Sequence, residues 1–337
     1  MADEMLCTPI TGRALWGPGD FKGDGWIWRI TPEEADEIEQ ALRAVQKLGL
    51  GVGQFSREQF ALPLFSVKLA AIRKELIEGI RFALVRKLPV ERFSVAELEI
   101  IYWGLGLYLG TGIGQNAAGA LLSHVTFHGL DASTGRVRGY QDRRHQEPHN
   151  DLADVVGLLC VRKAKSGGAS SIVNIPAVYN ELLATRPDLL PVFYRGFHLD
   201  YRGEGDDPNA TTSYRVPNFG VADGKLCVFF GRRGIEAAMH KRGETSTALE
   251  AEAIDLLQTL LEKPEYRVDM ELETGDMQFV NNYAVMHART AYEDYDDPSL
   301  WRLMLRLWLN LDDMVLPERL ARFTRAGFAD VAVSGAG

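Results

Sequence analysis

The chain has 337 residues, 46% of them hydrophobic, and a formal net charge of −9, so it can bury a substantial core in one large domain or two small ones. The acidic balance disfavours nucleic-acid or anionic-membrane binding, and the sequence shows neither a secretion signal nor an apolar run long enough to span a membrane. Three widely spaced cysteines, an odd number, favour a reduced, cytoplasmic protein over a disulfide scaffold.

The first third of the chain is predicted to be mostly helical. Thr31-Pro32-Glu33-Glu34 is a capping box with proline at the first helical position, and the helix that it opens is expected to end near Gly49. A second helix is expected over residues 66–85. A third begins at the capping box of residues 94–97 and runs towards Gly110.

From about residue 120 the pattern favours strands. They are expected over residues 121–128, 154–162, 195–203, 213–217, 225–230, 266–273, 277–281, 285–290 and 301–310, with helices over 175–190 and 247–262. Asp223-Gly224 is a turn signal predicted to join the strands at 213–217 and 225–230. This order predicts an α+β fold in which helices pack on a double-sheet jelly roll. We expect a single domain over residues 1–337, with a mostly helical part (1–119) packed on a jelly-roll core (120–315).

Two distant segments supply candidate metal ligands. In an extended strand, residues two apart point to the same side, so His149 and Asp151 can bind one metal ion. A third ligand, His287, follows the run Asn281-Asn282-Tyr283 on a strand that must be adjacent in space. Two imidazoles and one carboxylate are the 2-His-1-carboxylate facial triad, which binds non-haem Fe(II) and leaves positions open for oxygen chemistry.

A histidine two residues before an acid is a short pattern, and context must select among its occurrences. There are three: His145-Gln146-Glu147, His149-Asn150-Asp151 and His198-Leu199-Asp200. Pro148 restricts the residue before it and removes a ladder donor, so the first pair lies at a strand edge. The pair at His198 lies in an alternating run that favours an ordinary polar face. The pair at His149 precedes the apolar run of residues 155–161, and this context selects it.

Arg302 and Arg306 lie in the run of residues 301–308 and are four residues apart. If this run is a strand, both arginines point to one face and the leucines between them to the other. An inward-facing arginine needs a bound anion or an acidic partner, and its fork suits a carboxylate. The alternative for each arginine is a structural salt bridge, for example between Arg306 and Asp276.

These elements, in this order, resemble the Fe(II)/2-oxoglutarate-dependent oxygenases of the taurine dioxygenase type. The matching elements are His149-x-Asp151; Gly167-Gly168-Ala169-Ser170; Gly275-Asp276 leading to Asn282 and His287; and Arg302-x-x-x-Arg306. The resemblance covers about half the chain and implies a double-stranded β-helix, or cupin-like, core. It implies that the catalytic iron ligands are His149, Asp151 and His287. It further implies that Arg302 pairs with the distal carboxylate of 2-oxoglutarate, that Ser170 assists it, and that Arg306 faces an anionic group of the substrate.

By this resemblance the chain is a dioxygenase that uses Fe(II), 2-oxoglutarate and O2 to oxidise, by default to hydroxylate, a C–H bond of a small substrate, with release of succinate and CO2. Arg306, with Arg289 beside the distal histidine, points to a substrate that bears an acid group. Desaturation, cyclisation and C–N cleavage stay open, as do a homo-oligomer and the identity of the substrate. The residues Arg138, Tyr140, Arg143 and Arg144 lie where the family places a mobile segment over the pocket, although a solvated loop explains them equally well.

Two other functions fit parts of the pattern. The three ligands suit a zinc-type metallohydrolase, since tetrahedral zinc also takes imidazole and carboxylate. A hydrolase has no use for a dicarboxylate clamp, however, so Arg302 and Ser170 disfavour it. A non-catalytic jelly-roll binding protein would use the histidines as hydrogen-bonded core groups.

Overall fold

The computed structural model describes residues 5–116, 118–127, 142–201, 207 and 209–325. Within them the helices are α1 (Pro32–Lys47), α2 (Phe65–Glu78), α3 (Val95–Gly106), α4 (Ile175–Thr185), α5 (Leu190–Arg195), α6 (Arg232–Arg242), α7 (Ala248–Leu261) and α8 (Glu318–Thr324). The strands are β1 (Trp28–Arg29), β2 (Phe82–Arg86), β3 (Thr111–Gly112), β4 (Leu122–Val125), β5 (Gln146–His149), β6 (Val155–Arg162), β7 (Ser166–Gly167), β8 (Ser170–Asn174), β9 (Phe219–Ala222), β10 (Lys225–Val228), β11 (Arg267–Met270), β12 (Met277–Asn281), β13 (Val285–Arg289), β14 (Tyr292–Glu293) and β15 (Leu303–Asn310).

Two sheets face each other across a buried apolar layer. The larger has the order β1-β2-β12-β6-β15-β3, with β4 also paired to β15, and the smaller has the order β11-β8-β13-β5. Apart from the parallel pair β1–β2, their strands pair in antiparallel fashion. Val156 and Trp308 from the larger sheet and Ile172 from the smaller share the layer between them. This arrangement confirms the predicted α+β fold with a double-stranded β-helix core.

The outer face of the larger sheet is covered by α1, α2 and α3. Leu305 and Leu307 of β15 join this helix-side cluster, whereas Met304 and Trp308 of the same strand face the smaller sheet. The division follows from the two-residue period of a strand. It confirms the predicted separation of the leucines in this run from the face that carries Arg306.

Helices α1 and α3 begin where their capping boxes predicted. Thr31 and Ser94 each accept a hydrogen bond from the third helical residue, whose carboxylate bonds back to the cap. The predicted helix over 66–85 was too long, because α2 ends at Glu78 and β2 begins at Phe82. Gly79 caps the helix in a non-helical conformation, and Arg81 takes a positive φ of 73° just before the strand. The four buried residues that follow form a strand covered on both sides, and a continuous apolar run does not distinguish that from a helix.

The outer face of the smaller sheet packs against α4, α5 and α7. The predicted helix over 175–190 is interrupted before Pro187, which disfavours helical geometry in the residue preceding it. The Asp223-Gly224 turn is present with both φ angles positive, but it joins β9 to β10. The predicted strands at 195–203 and 213–217 were wrong, since only the bridges Phe197–Val216 and Asp200–Thr211 form there.

No helix among the described residues is both long enough and apolar enough to cross a membrane.

Candidate metal centre

The three candidate ligands meet between the two sheets. His149 is the last residue of β5, and Asp151 follows in the connection that crosses to β6 of the larger sheet. His287 lies on β13 directly opposite His149 in the strand register. One donor atom from each of the three side chains lies within 4.8 Å of the others, and the imidazole centroids are 4.4 Å apart. The structure therefore brings together the residues that the sequence selected.

The hydrogen bonds and burial of the two histidines favour their metal-binding form. His149 Nδ1 lies 2.8 Å from the carbonyl oxygen of Glu147, which fixes the ring and leaves Nε2 facing the centre, 3.0 Å from Gln146 Nε2. Burial lowers the pKa of His287, and the charge of Asp151 only partly opposes this. The imidazole is therefore neutral at pH 7, and a metal requires that form. His287 Nε2 lies 3.8 Å from Asp151 Oδ2.

The carboxylate of Asp151 is oriented by the larger sheet. Its Oδ2 atom accepts hydrogen bonds from the guanidinium of Arg306 and from the indole N–H of Trp308, each at 3.1 Å. Two neutral imidazoles and one carboxylate make a donor set with a single negative charge. Such a set suits a divalent transition metal of the Fe(II) type, so the residues present fit an iron centre.

Two asparagines brace the connection that carries Asp151. Asn282 Oδ1 accepts from the Asp151 backbone N–H at 2.9 Å, and its amide nitrogen donates to the carbonyls of Asp151 and Ala153. Asn150 donates to Val285 O and accepts from the backbone N–H of Phe230. The sequence flagged Asn282 as part of a motif but not as a brace, because the partners are backbone atoms of distant segments.

The pocket beside the metal ligands is lined by buried arginines. Arg302 is only 4% exposed, and its NH1 atom has no hydrogen-bond partner among the described residues. Burial lowers the pKa of its guanidinium. The backbone conformation favours glycine at the second position of the motif at residues 167–170. Gly168 has a φ of 77°, and a Cβ added there would lie 3.4 Å from Arg302 Nε. Ser170 lines the same pocket and donates to Gln278 Oε1 at 3.0 Å.

Arg306 also lines this pocket and is 7% exposed. Besides its contact with Asp151, it donates from Nε to Gln115 Oε1 at 2.8 Å. The suggested partner Asp276 was wrong, because that carboxylate lies 3.2 Å from Arg86 Nε. The sequence could not identify Asp151 as the acidic neighbour of Arg306, because Asp151 lies in the loop after β5 and Arg306 lies on β15.

Three other candidates lie elsewhere. His145 is half-exposed, with Nε2 4.0 Å from a carboxylate oxygen of Glu262. His198 Nδ1 lies 2.8 Å from Thr212 O, on an ordinary polar face. Arg143 stacks on Phe127 with its guanidinium carbon 3.9 Å from the ring centre. The candidates at positions 138 and 140 lie outside the described residues.

Comparison with known proteins identifies relatives over most of the chain. The family model described as "Taurine catabolism dioxygenase TauD, TfdA family" matches residues 44–308. FR-33289 synthase of Streptomyces rubellomurinus is 33% identical over 317 residues, which span 92% of this chain and 93% of that protein.

Two kinds of solved structure share the fold. Asparagine oxygenase in complex with Fe(II), 2S,3S-3-hydroxyasparagine and succinate superposes with a TM-score of 0.66 at 16% identity, covering 85% of this chain and 94% of that one. The non-heme iron oxygenase OrfP in complex with Fe and alpha-ketoglutaric acid gives a TM-score of 0.63 at 13% identity, covering 85% and 93%.

Proposed function

The chain belongs to the TauD, TfdA family of taurine catabolism dioxygenases and is a non-haem iron, 2-oxoglutarate-dependent dioxygenase, and from this premise we propose the role of each site residue. His149, Asp151 and His287 hold the iron. This assignment rests on one observation: their donor atoms lie within 4.8 Å of one another, and among the described residues no other group of histidine, cysteine and acidic side chains does so. Because the family match spans most of the chain, we propose that residues 1–337 form one oxygenase domain.

Arg302 binds the distal carboxylate of 2-oxoglutarate, and Ser170 supports it from β8. A buried guanidinium with an unpartnered N–H provides the charge and the fork that a carboxylate requires. Bound iron, 2-oxoglutarate and O2 supply the oxidising chemistry, in which 2-oxoglutarate is converted to succinate and CO2 as a substrate C–H bond is oxidised. The protein binds and orients these groups.

Arg306 has two candidate roles. Its contact with Asp151 favours a positioning role for the iron ligand, whereas its place in the pocket favours binding of an anionic substrate group. We propose that the substrate is a small molecule that bears an acid group. The asparagine oxygenase complex supports this class, since hydroxyasparagine carries a carboxylate.

The function is tested by iron-dependent succinate release in a mass-spectrometric screen of amino acids, betaines and small acids. Release of succinate together with a substrate gain of one oxygen is expected. Zinc-dependent hydrolysis without 2-oxoglutarate consumption would support the metallohydrolase instead. Binding without turnover of either kind would support a non-catalytic jelly roll.

The metal assignment is tested by single substitutions. His149→Ala, Asp151→Ala and His287→Ala should each abolish 2-oxoglutarate turnover and lose iron on dialysis, because two protein ligands hold iron weakly. His145→Ala and His198→Ala are matched controls that should keep iron. The assignment is wrong if His198→Ala loses iron while His149→Ala retains it.

A further inference from the structure

Arg289 has a buried side chain that uses two of its five N–H donors within the described residues. It lies on β13 two residues after His287, so both face the interior, and it is 6% exposed. Its NH2 atom donates to the backbone carbonyls of Asp142 and Arg144, at 2.7 and 2.6 Å. Its Nε and NH1 atoms are buried without a partner among the described residues.

Two buried arginines have unpartnered N–H groups beside one pocket, and the ring of Tyr292 lies against both guanidinium groups. Arg302 NH1 and the Tyr292 hydroxyl are also buried without a hydrogen-bond partner of normal geometry in the described part of the chain. The Tyr292 ring lies 4.7 Å from the guanidinium carbon of Arg289 and 5.2 Å from that of Arg302. Arg289 and Arg302 line one pocket. Unsatisfied buried donors are costly, so several in one place indicate an expected acceptor.

The acidic groups near this cluster compensate the charges of the two arginines only partly. No carboxylate of the described residues lies within ion-pair distance of Arg289 or Arg302. The nearest acids are engaged elsewhere, Asp142 with Arg144 and Asp294 with Arg143. Arginine stays protonated in proteins, so both guanidinium groups are charged at neutral pH. One bound carboxylate would reduce the repulsion between the two guanidinium groups and accept hydrogen bonds from their unpartnered N–H groups.

We propose that Arg289 binds the distal carboxylate of 2-oxoglutarate together with Arg302, and that Arg289 thereby makes cosubstrate binding stabilise residues 142–144. The inference rests on the proposed function of Arg302. It adds a second guanidinium group to the carboxylate site. The same group hydrogen-bonds to the backbone of Asp142 and Arg144, and this connection is called the link below.

The link matters because residues 142–144 lead directly into β5, the strand that ends at His149. Gln146 at the start of β5 lies opposite Arg289, and the strand register shifts between His287 and Arg289. Sheet pairing is therefore irregular at this point, and the two hydrogen bonds from Arg289 hold the approach to the strand. A carboxylate on the other side of the same guanidinium fixes its position and so strengthens that hold.

The first test measures affinity. Arg289→Gln should weaken 2-oxoglutarate binding to the anaerobic Fe(II) protein by roughly tenfold or more in calorimetry, the loss expected for a charge-assisted hydrogen bond. In turnover, the KM for 2-oxoglutarate should rise more than kcat falls. Arg289→Lys keeps the charge, so its affinity for 2-oxoglutarate should lie between those of the wild type and Arg289→Gln. Arg267→Gln removes a half-exposed arginine of the same sheet and should match the wild type.

The second test measures the link. Trypsin cleaves after Arg143 and Arg144, and mass spectrometry locates the cuts. 2-Oxoglutarate should slow both cuts in the wild type and in Arg267→Gln, but not in Arg289→Gln.

Unchanged 2-oxoglutarate affinity in both Arg289 variants overturns the carboxylate contact, and protection retained in Arg289→Gln overturns the link. If Arg289→Gln does not fold, both the affinity for 2-oxoglutarate and the tryptic cleavage are measured on Arg289→Lys. Failure of the wild type itself to bind 2-oxoglutarate would instead refute the proposed function.

Discussion

At the scale of single residues, the site is organised by buried positive charge. Arg289, Arg302 and Arg306 are 6%, 4% and 7% exposed, yet within the described residues only Arg306 has a carboxylate partner. Arginine stays protonated in proteins, so burial does not remove these charges. An anion that enters the pocket therefore meets guanidinium groups already desolvated and oriented.

Arg302→Lys should raise the KM for 2-oxoglutarate, because a point charge cannot reproduce the two-point contact of a guanidinium. Losing a charge-assisted hydrogen bond costs about 1.5–3 kcal/mol, which corresponds to roughly 10- to 150-fold in affinity. Steady-state kinetics with varied 2-oxoglutarate checks this. An enzyme with unchanged affinity would contradict the assignment.

Ser170→Ala should raise the same KM by less, since it removes one neutral hydroxyl. Ser171→Ala is its control. Both serines are 6% exposed, but neighbouring residues of a strand face opposite sides, and Ser171 bonds to Asp269 rather than lining the pocket. Equal effects of the two substitutions on the KM would show that Ser170 acts only through packing.

Arg306→Gln separates the two roles of that residue. If Arg306 positions Asp151, its loss leaves a buried carboxylate with Trp308 as a remaining donor, so the metal-free protein should be destabilised by about 1.5–3 kcal/mol. Added metal should then raise the melting temperature more in the variant than in the wild type, because the ion supplies the missing positive charge. Calorimetric melting with and without metal measures both effects.

Arg86→Gln is the matched control, since it deprives Asp276 of its partner away from the metal ligands. It should be destabilised without a larger response to metal. For Arg306→Gln, unchanged stability with a lower ratio of product to succinate would favour the substrate anchor. A destabilised but fully coupled enzyme would exclude it.

The sequence identified the candidate site residues, but it did not predict which other residues each of them contacts. Spacing alone predicts that His149 and Asp151 lie on one side and that Arg302 and Arg306 lie on one face. The pairing of Arg306 with Asp151 depends on how two sheets stack, and no local pattern encodes that. The same holds for Arg289, whose unpartnered atoms become visible only in three dimensions.

At the scale of elements, the close contact between α3 and β6 is built around a glycine. Tyr102 of α3 and Phe279 of β12 lie against Gly157, where an added Cβ would overlap the tyrosine hydroxyl and come within 2.9 Å of the phenyl ring. Tyr102 is fully buried. The absence of a side chain at position 157 therefore sets how closely the helical layer approaches the larger sheet.

Gly157→Ala should lower the free energy of unfolding by about 1–3 kcal/mol, the usual cost of overpacking a core. Gly234→Ala in α6 is the control, because a methyl group added there would meet nothing within 4 Å and alanine favours a helix. Urea unfolding measures both. Tyr102→Phe should partly rescue Gly157→Ala by removing the overlapping oxygen, and no rescue would contradict this explanation.

Elements with a local signal were predictable, and elements defined by their neighbours were not. Capping boxes fixed the starts of α1 and α3, because each cap is satisfied within four residues. Strand β2 resembled a helix because its apolar run is continuous, and only pairing with β12 decides its state. Strand β9 was predicted too early, at residues 213–217, although the turn that joins it to β10 was recognised.

At the scale of the whole molecule, the C-terminal helix is tied to the loop that follows the metal ligands. Arg325 at the end of α8 donates to Asp154 Oδ2 at 2.9 Å, and this carboxylate is fully buried just before β6. Burial raises the pKa of Asp154, and the charge of Arg325 opposes the rise. Arg325, the last described residue, thus stabilises the carboxylate of Asp154 near the middle of the sequence.

Arg325→Gln should reduce stability by about 1.5–3 kcal/mol at pH 8 and by less at pH 5. A carboxyl whose folded pKa exceeds its unfolded value holds more protons when folded, so its contribution to stability falls as pH rises through the folded pKa. Removing Arg325 raises that pKa further and enlarges the loss at high pH. Urea unfolding at the two pH values checks this, with Arg325→Lys as a charge-preserving control. A loss that is the same at both pH values would contradict it.

The brace between Asn282 and Asp151 spans 131 residues of the chain, and it has a consequence for the order of folding. Contacts so distant in sequence form late, because the entropy of closing the intervening chain must be overcome first. The iron-binding geometry is therefore completed only once both sheets have assembled. A chain that lacks either segment is therefore expected to lack the brace that positions Asp151.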